Sequence, residues 1–183
     1  MTCIVALEAR KRVYMASDTF GSDGHTGATY EAPKTFRNGS ALIGVCGSYR
    51  MMQLLRYALV VPEESLSWDV DRWVALDLMP AIRTAFEAHG WDRVNEGRAR
   101  GGSFLFAIRG RCYEIQPDYS FLRSAAGEYA IGSGTYHALG SLHSTRDWTK
   151  PKERLSAALA ASAEHVVSVA GPFDFVRQEG EGG

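Results

Sequence analysis

The chain has 183 residues, 45% of them hydrophobic and 22% charged, enough for one well-filled core and too few to favour two domains, so a single domain over 1–183 is expected. Its formal charge of −1, with Lys and Arg spread along the sequence, excludes the basic stripe of a nucleic-acid binder and the acidic tract of a protein with cationic partners. Small or neutral peptide substrates fit that balance better.

The chain opens with two β-rich runs, Cys3–Leu7 and Val13–Asp18, separated by the charged turn Glu8–Arg12, which predicts an antiparallel hairpin. The stretch Phe20–Ala32, rich in Gly, Ser, Thr and His, reads as a loop. Lys34–Arg37 and Ala41–Cys46 predict a second hairpin across Asn38-Gly39, a favoured two-residue turn, which sets Lys34 and Cys46 at one end of it. Helical spacing of Met52, Leu55 and Leu59 predicts a helix over Tyr49–Val61 that stops before Pro62. A second helix is predicted from Asp69 to His89, with Pro80 kinking or breaking it. Asp92–Gly102 reads as loop, and Ser103–Arg109 with Cys112–Gln116 as a hairpin across Gly110. A short strand at Ser120–Arg123 leads to another at Tyr129–Gly132. Helices follow at Tyr136–Ser144 and Pro151–Val167, the latter with Pro151 suited to its first turn. A strand at Phe173–Arg177 precedes a glycine- and glutamate-rich tail, 178–183, expected to be disordered.

Hairpins, two helices, hairpins, two helices and a strand do not make a βαβ array. They can stack two antiparallel sheets between two helical layers, an α+β sandwich of αββα type. No run approaches the ~20 apolar residues of a membrane helix. The six apolar-rich residues at the start are followed at once by Glu8 and Arg10 to Arg12, unlike an export signal. Cys3, Cys46 and Cys112, an odd number without C-x-x-C spacing, predict buried thiols in a reducing compartment, and the expected location is the cytoplasm.

Thr2 stands behind Met1, and a residue as small as threonine favours removal of the initiator methionine. Thr2 would then carry a hydroxyl and a free α-amino group on one framework, a nucleophile and a base together. Taken singly, Asp18 is a strand-end residue, Lys34 an edge residue, and Ser133 and Gly47 turn residues. Their joint order along the chain is what carries a catalytic reading. His137 and His143 are six apart, poor spacing for one metal on a helix. The Gly132-Ser133-Gly134 turn lacks the third glycine of a dinucleotide fingerprint. No cofactor and no metal is assigned.

Over nearly its whole length the sequence resembles the β-type subunits of the 20S proteasome and the related bacterial HslV peptidases, which are N-terminal nucleophile hydrolases. The resemblance rests on Thr2, Asp18 and Lys34 in gapless register, on Ile43-Gly44-Val45-Cys46-Gly47-Ser48, and on Ala130-Ile131-Gly132-Ser133-Gly134. It implies a threonine-type endopeptidase with Thr2 as nucleophile and either the α-amino group or Lys34 as base. Asp18 and Lys34 are expected to form an ion pair that orients Thr2. The Gly47 amide is the implied oxyanion donor, and Ser133 the implied partner of the terminal amine. Ser22 fits the position whose backbone pairs with an extended peptide, and a specificity pocket is expected around Ser22, Val45 and Tyr49.

Two positions depart from the family pattern. Ser168 fits its late serine, but His165, beside Glu164, stands where an aspartate is common, and Phe20 replaces a common arginine. The resemblance further implies a closed homo-oligomeric ring, two rings stacked, with Tyr49–Val61 and Asp69–His89 as contact surfaces, and an unfolding ATPase as partner. Two other readings stay open: a non-catalytic ring subunit that keeps Met1, and an amidase of the same fold acting on small non-peptide amides.

Overall fold

The computed structural model describes residues 2–22, 25–63, 69–91, 93–95, 98–100 and 103–178, with the backbone alone at 93–95 and 98–100. Strands β1 (Cys3–Ala9) and β2 (Arg12–Asp18) form the first hairpin, β3 (Phe20–Ser22) and β4 (Gly27–Thr29) a small second one, and β5 (Thr35–Asn38) and β6 (Ala41–Val45) a third. Helix α1 (Tyr49–Tyr57) follows, then α2 (Val70–Trp73), which runs through a π-helical turn, Val74–Leu78, into α3 (Met79–Ala88). The remainder is β7 (Arg93–Asn95), β8 (Arg98–Arg100), β9 (Phe104–Ile108), β10 (Arg111–Ile115), β11 (Phe121–Leu122), β12 (Glu128–Gly132), α4 (Thr135–Ser144), α5 (Pro151–His165) and β13 (Phe173–Arg177).

Two antiparallel sheets face each other, one in the order β12-β1-β2-β13 and the other β11-β10-β9-β6-β5. The period of two along β1 explains the layering. Ile4 and Ala6 meet Met15, Leu42, Leu105 and Ala107 between the sheets. Cys3, Val5 and Leu7 point the other way, onto Ala138 and Leu142 of α4 and Leu155 and Leu159 of α5. On the far side, Ile43, Val45, Phe104 and Phe106 pack against Met51, Leu55, Leu78, Ile82 and Phe86 of α1 to α3. A strand covered on both faces has to be apolar at every position. That is why Cys3–Leu7 reads as a continuous hydrophobic run, and the layers are the expected αββα.

Several boundaries differ from those predicted, each for a local reason. The first turn tightens to Arg10 and Lys11, at φ 52° and 60°, so both strands lengthen. The predicted loop Phe20–Ala32 contains the β3–β4 hairpin, in register from Phe20 opposite Thr29 to Ser22 opposite Gly27. Helix α1 ends at Tyr57 rather than Val61, because the Asn38 amide donates to the carbonyls of Leu55 and Leu59, both at 2.9 Å. These bonds satisfy chain-end acceptors that a longer helix would have bonded internally. Pro80 neither breaks nor ends its helix: the π turn just before it, in which the Met79 N–H bonds the Val74 carbonyl, absorbs the register change that a missing N–H requires. The segment read as loop at Asp92–Gly102 holds the short β7–β8 pair; residues 92, 96–97 and 101–102 of it lie outside the described residues.

The tail expected to be disordered starts one residue too early. Gln178 is buried; its N–H donates to the Val13 carbonyl (2.8 Å), and its side chain accepts from the Gly110 N–H (2.9 Å) and donates to the Ser40 carbonyl (3.1 Å). Residues 179–183 lie outside the described residues.

Candidate active site

The β1 strand begins at Cys3 opposite Gly132 of β12. One step beyond that register, the Ser133 N–H donates to the Thr2 carbonyl at 2.8 Å. The turn after β12 therefore fixes the start of the chain, and Thr2 is only 7% exposed. The Ser133 hydroxyl also donates to the Thr2 carbonyl, at 3.2 Å, and lies 3.2 Å from the Ser168 hydroxyl. The resemblance implies Ser133 as partner of the terminal amine that removal of Met1 would free; in the structure the bond runs to the Thr2 carbonyl, which the ladder between β1 and β12 brings to the turn.

Asp18 ends β2 and is fully buried. One carboxylate oxygen accepts from the Cys3 N–H at 2.9 Å and the other from Lys34 Nζ at 2.9 Å. Lys34, 3% exposed, sits just ahead of β5 and also donates to the Phe20 carbonyl. Its own carbonyl accepts from the Val45 N–H at 2.9 Å, which holds it level with the end of β6 as the second hairpin predicts. Two of the three ammonium donors are thus committed. Burial pushes the Asp18 carboxyl above its ordinary range, against the Cys3 amide and the Lys34 charge, which pull it down. Burial pushes the Lys34 ammonium below its ordinary range, opposed by Asp18. Each ion is a desolvated charge held by the other.

A cavity of 190 Å³ opens beside these residues and is lined by Thr2, Lys34, Gly47, Ser22, Val45 and Tyr49, among others. Gly47 sits between β6 and α1 with φ +84° and nothing within 4 Å of where a Cβ would stand. Glycine is needed here for the left-handed backbone rather than for space. The next residue, Ser48, caps α1, its hydroxyl accepting from the Met51 N–H at 3.2 Å. Gly47 therefore lies where a helix N-terminus adds its partial positive charge to the local N–H groups, a setting that favours an anion.

Two thiols flank the site without serving it. Cys3 Sγ donates to the Ser162 hydroxyl at 3.4 Å and Cys46 Sγ to the Ser103 carbonyl at 3.7 Å, and burial pushes both up to about 11. They stay protonated near neutral pH and are poor nucleophiles. Cys46 is half-buried rather than fully buried as expected, since it sits at the rim where the sheet gives way to the turn. Ser168 is buried and contacts Ser133. Glu164 and His165 are exposed, and His165 stacks against His137 with ring centroids 5.1 Å apart. Among the described residues no group of three or more His, Cys, Asp or Glu is placed to hold a metal ion, and no helix is long and apolar enough to cross a membrane.

Sequence reading did not single out four elements of the site. The Phe20 carbonyl is a backbone acceptor and carries no side-chain signal. Gly21 and Tyr30 lay in a stretch read as loop, and Met52 was assigned to the apolar face of α1; all three line the cavity. The alternation that β3 and β4 should show is too short, at three residues each, to be recognised in sequence.

No family model matches the chain, and no curated protein matches it in sequence. Solved structures do match its fold. Thiobacillus denitrificans BPH in complex with epoxomicin aligns with a TM-score of 0.79 at 18% identity, over 97% of this chain and 98% of that one. Eukaryotic HslV from Trypanosoma brucei aligns with a TM-score of 0.67 at 19% identity, over 96% and 98%. Anbu (ancestral beta-subunit) from Yersinia bercovieri aligns with a TM-score of 0.68 at 16% identity, over 97% of this chain and 81% of its own. Two antiparallel sheets between two helical layers, matched nearly end to end by these structures, give this chain the N-terminal nucleophile hydrolase fold.

Proposed function

We propose that the protein is a threonine-type endopeptidase in which Thr2, exposed as the first residue by removal of Met1, attacks peptide bonds. The observation that carries this reading is the buried Asp18–Lys34 pair, 2.9 Å between charged atoms, at the edge of a cavity that Thr2 and Gly47 also line. A buried ion pair is a weak source of stability, so its presence beside a threonine at the start of the chain supports a chemical role. The BPH structure adds support, since that protein of the same fold is in complex with epoxomicin.

In the proposed reaction the Thr2 hydroxyl attacks the scissile carbonyl while the freed α-amino group, whose unperturbed pKa is near 8, takes the hydroxyl proton. The positive field of Lys34, oriented by Asp18, favours the developing oxygen charge. The Gly47 N–H at the mouth of α1 donates to the tetrahedral oxyanion. Collapse expels the leaving amine, which takes the proton back from the α-amino group. Water then adds to the Thr2 ester by the same steps in reverse and releases the acid. Ser133 and Ser168 hold the Thr2 backbone in place, and the edge of β3 at Ser22 pairs with the extended substrate.

A nucleophile of this kind has to be sequestered. We therefore assign the single domain to a homo-oligomeric ring, two rings stacked, acting in the cytoplasm with an unfolding ATPase as partner. Exposed apolar side chains on the segments expected to make ring contacts, Tyr57, Val60 and Leu76, support that assembly. The test is Thr2→Ala: the variant should assemble as the parent does and lose cleavage of fluorogenic peptides. Unchanged cleavage would overturn the reading. A parent protein that keeps Met1 and cuts nothing would return a non-catalytic ring subunit, and one that opens only small non-peptide amides would return an amidase.

A further inference from the structure

Two histidines meet on the helical layer that carries the Ser133–Ser168 contact. His137 lies in the first turn of α4, four residues after Ser133, and His165 is the last residue of α5, three before Ser168. Both side chains are exposed, yet their rings stand side by side, with centroids 5.1 Å apart and planes 32° from parallel.

The helices beneath them are fixed to one another. The Ser162 hydroxyl of α5 donates to the Gly134 carbonyl at the head of α4 at 3.0 Å. Ala138 and Leu142 of α4 share a core with Leu155 and Leu159 of α5, and the Ser133 and Ser168 hydroxyls lie 3.2 Å apart. The imidazoles are thus presented from two packed helices rather than from loops that must first be ordered. Among the described residues neither ring has a hydrogen-bond or ion-pair partner, so both keep their nitrogens for a guest.

A neutral imidazole offers one unprotonated nitrogen, the donor atom that zinc, nickel and copper take readily and that magnesium and calcium do not. Two imidazoles bound tetrahedrally to one ion, each through a nitrogen about 2.0–2.1 Å from it, have centroids roughly 5 Å apart. The His137–His165 pair already stands at that spacing, and rotation about χ2, which is broad for histidine, is enough to turn the nitrogens toward a common point.

We propose that His137 and His165 form a binding site for a divalent transition-metal ion, zinc in the first instance, and that the ion ties α4 to α5 beside the Ser133–Ser168 contact. Among the described residues no third His, Cys, Asp or Glu joins the pair, so water completes the shell and occupancy follows the free metal concentration. The tie lies about one turn from Ser133, which holds the Thr2 carbonyl. The ion binds whether or not Thr2 is a nucleophile.

The test is calorimetric titration of Zn²⁺ into the assembled, full-length protein after dialysis against a chelator, with thermal unfolding measured with and without the ion. One ion per chain should bind and raise Tm, because the unfolded chain does not hold the two rings together. Mg²⁺ should do neither. His137→Ala and His165→Ala should each weaken Zn²⁺ binding at least about 10-fold, since either leaves a single imidazole, and should abolish the rise in Tm. Both side chains are exposed, so the metal-free Tm of each variant should match the parent's. His143→Ala removes another exposed histidine of α4, one that faces Arg146 at 2.7 Å, and should bind as the parent does. Absence of heat and of any shift in Tm with Zn²⁺ in excess would overturn the proposal. So would binding that survives both substitutions, as it would if the ion sat on a thiol or the Thr2 amine, or a loss that His143→Ala shares.

Discussion

Replacing Lys34 by methionine keeps most of the side-chain volume and removes the charge. In the parent, the fully buried Asp18 carboxylate has two partners, the Cys3 N–H and Lys34 Nζ, each at 2.9 Å; the variant leaves only the first. Breaking one side of a buried pair leaves an uncompensated charge and costs about 3–5 kcal/mol, which for a chain of this size corresponds to a fall in Tm of about 6–20 °C. The sign of the pH dependence is the sharper test. Asp18 already titrates above its ordinary value of 3.8, and losing Lys34 raises it further, so the folded variant binds a proton more tightly than the unfolded chain. Its stability is then greatest at acid pH and falls as pH rises from about 4 through the raised folded value, by up to about 1.4 kcal/mol per pH unit. Asp18→Asn does the opposite. Lys34, already below its ordinary 10.5, drops further, so that variant gains stability as pH climbs toward the unfolded value. The double variant, with no charge at either position, should recover part of the loss and show neither slope. Thermal unfolding of all four proteins between pH 5 and pH 9 checks this. A loss below about 1 kcal/mol in both single variants, the range of an exposed pair, or slopes of the same sign in both, would refute the reasoning.

Gly47→Ala meets open space but a left-handed backbone; it should cost about 1–2 kcal/mol of stability and, by tilting the N–H proposed to hold the oxyanion, lower kcat more than it changes KM, measured with peptide substrates. Asn38→Ala removes two 2.9 Å bonds at the end of α1 and should cost about 1–3 kcal/mol in urea unfolding with kcat/KM unchanged; a loss of activity without a loss of stability would contradict the purely structural role given to Asn38. Cys3 and Cys46, both near 11, should resist iodoacetamide at pH 7.5 in the folded protein and react once it is unfolded, as peptide mass mapping would show; rapid folded-state alkylation would mean a thiolate this account does not allow.

The four layers were legible because burial on both faces leaves a plain mark. Cys3–Leu7 and Phe104–Ile108 are apolar at every position and buried at every position. The helices were legible as elements but not at their ends. What stops α1 is the side chain of Asn38, remote in sequence, and what carries the chain past Pro80 is a π turn that no simple periodicity encodes. Thr2, Asp18, Lys34 and Gly47 stand out in the sequence through their joint order and the resemblance it carries, since taken singly each is an ordinary strand or turn residue. The Asp18–Lys34 contact joins the end of β2 to the residue just ahead of β5 in the other sheet, and the Tyr30–Tyr49 contact joins a strand-end loop to a helix, both set by tertiary packing. The turn that holds Ser133 is legible from its glycines, but its hydrogen bond to the Thr2 carbonyl goes to a partner any residue offers and no sequence marks.

The central claim is that Thr2 becomes a free N-terminal nucleophile. Intact mass spectrometry of the untagged protein, before and after exposure to a peptide epoxyketone that requires both the hydroxyl and the free amine of an N-terminal threonine, tests it directly. The account predicts a parent mass lacking Met1, a single adduct per chain, and no adduct in Thr2→Ala. A chain that has lost Met1 and still forms no adduct would contradict it.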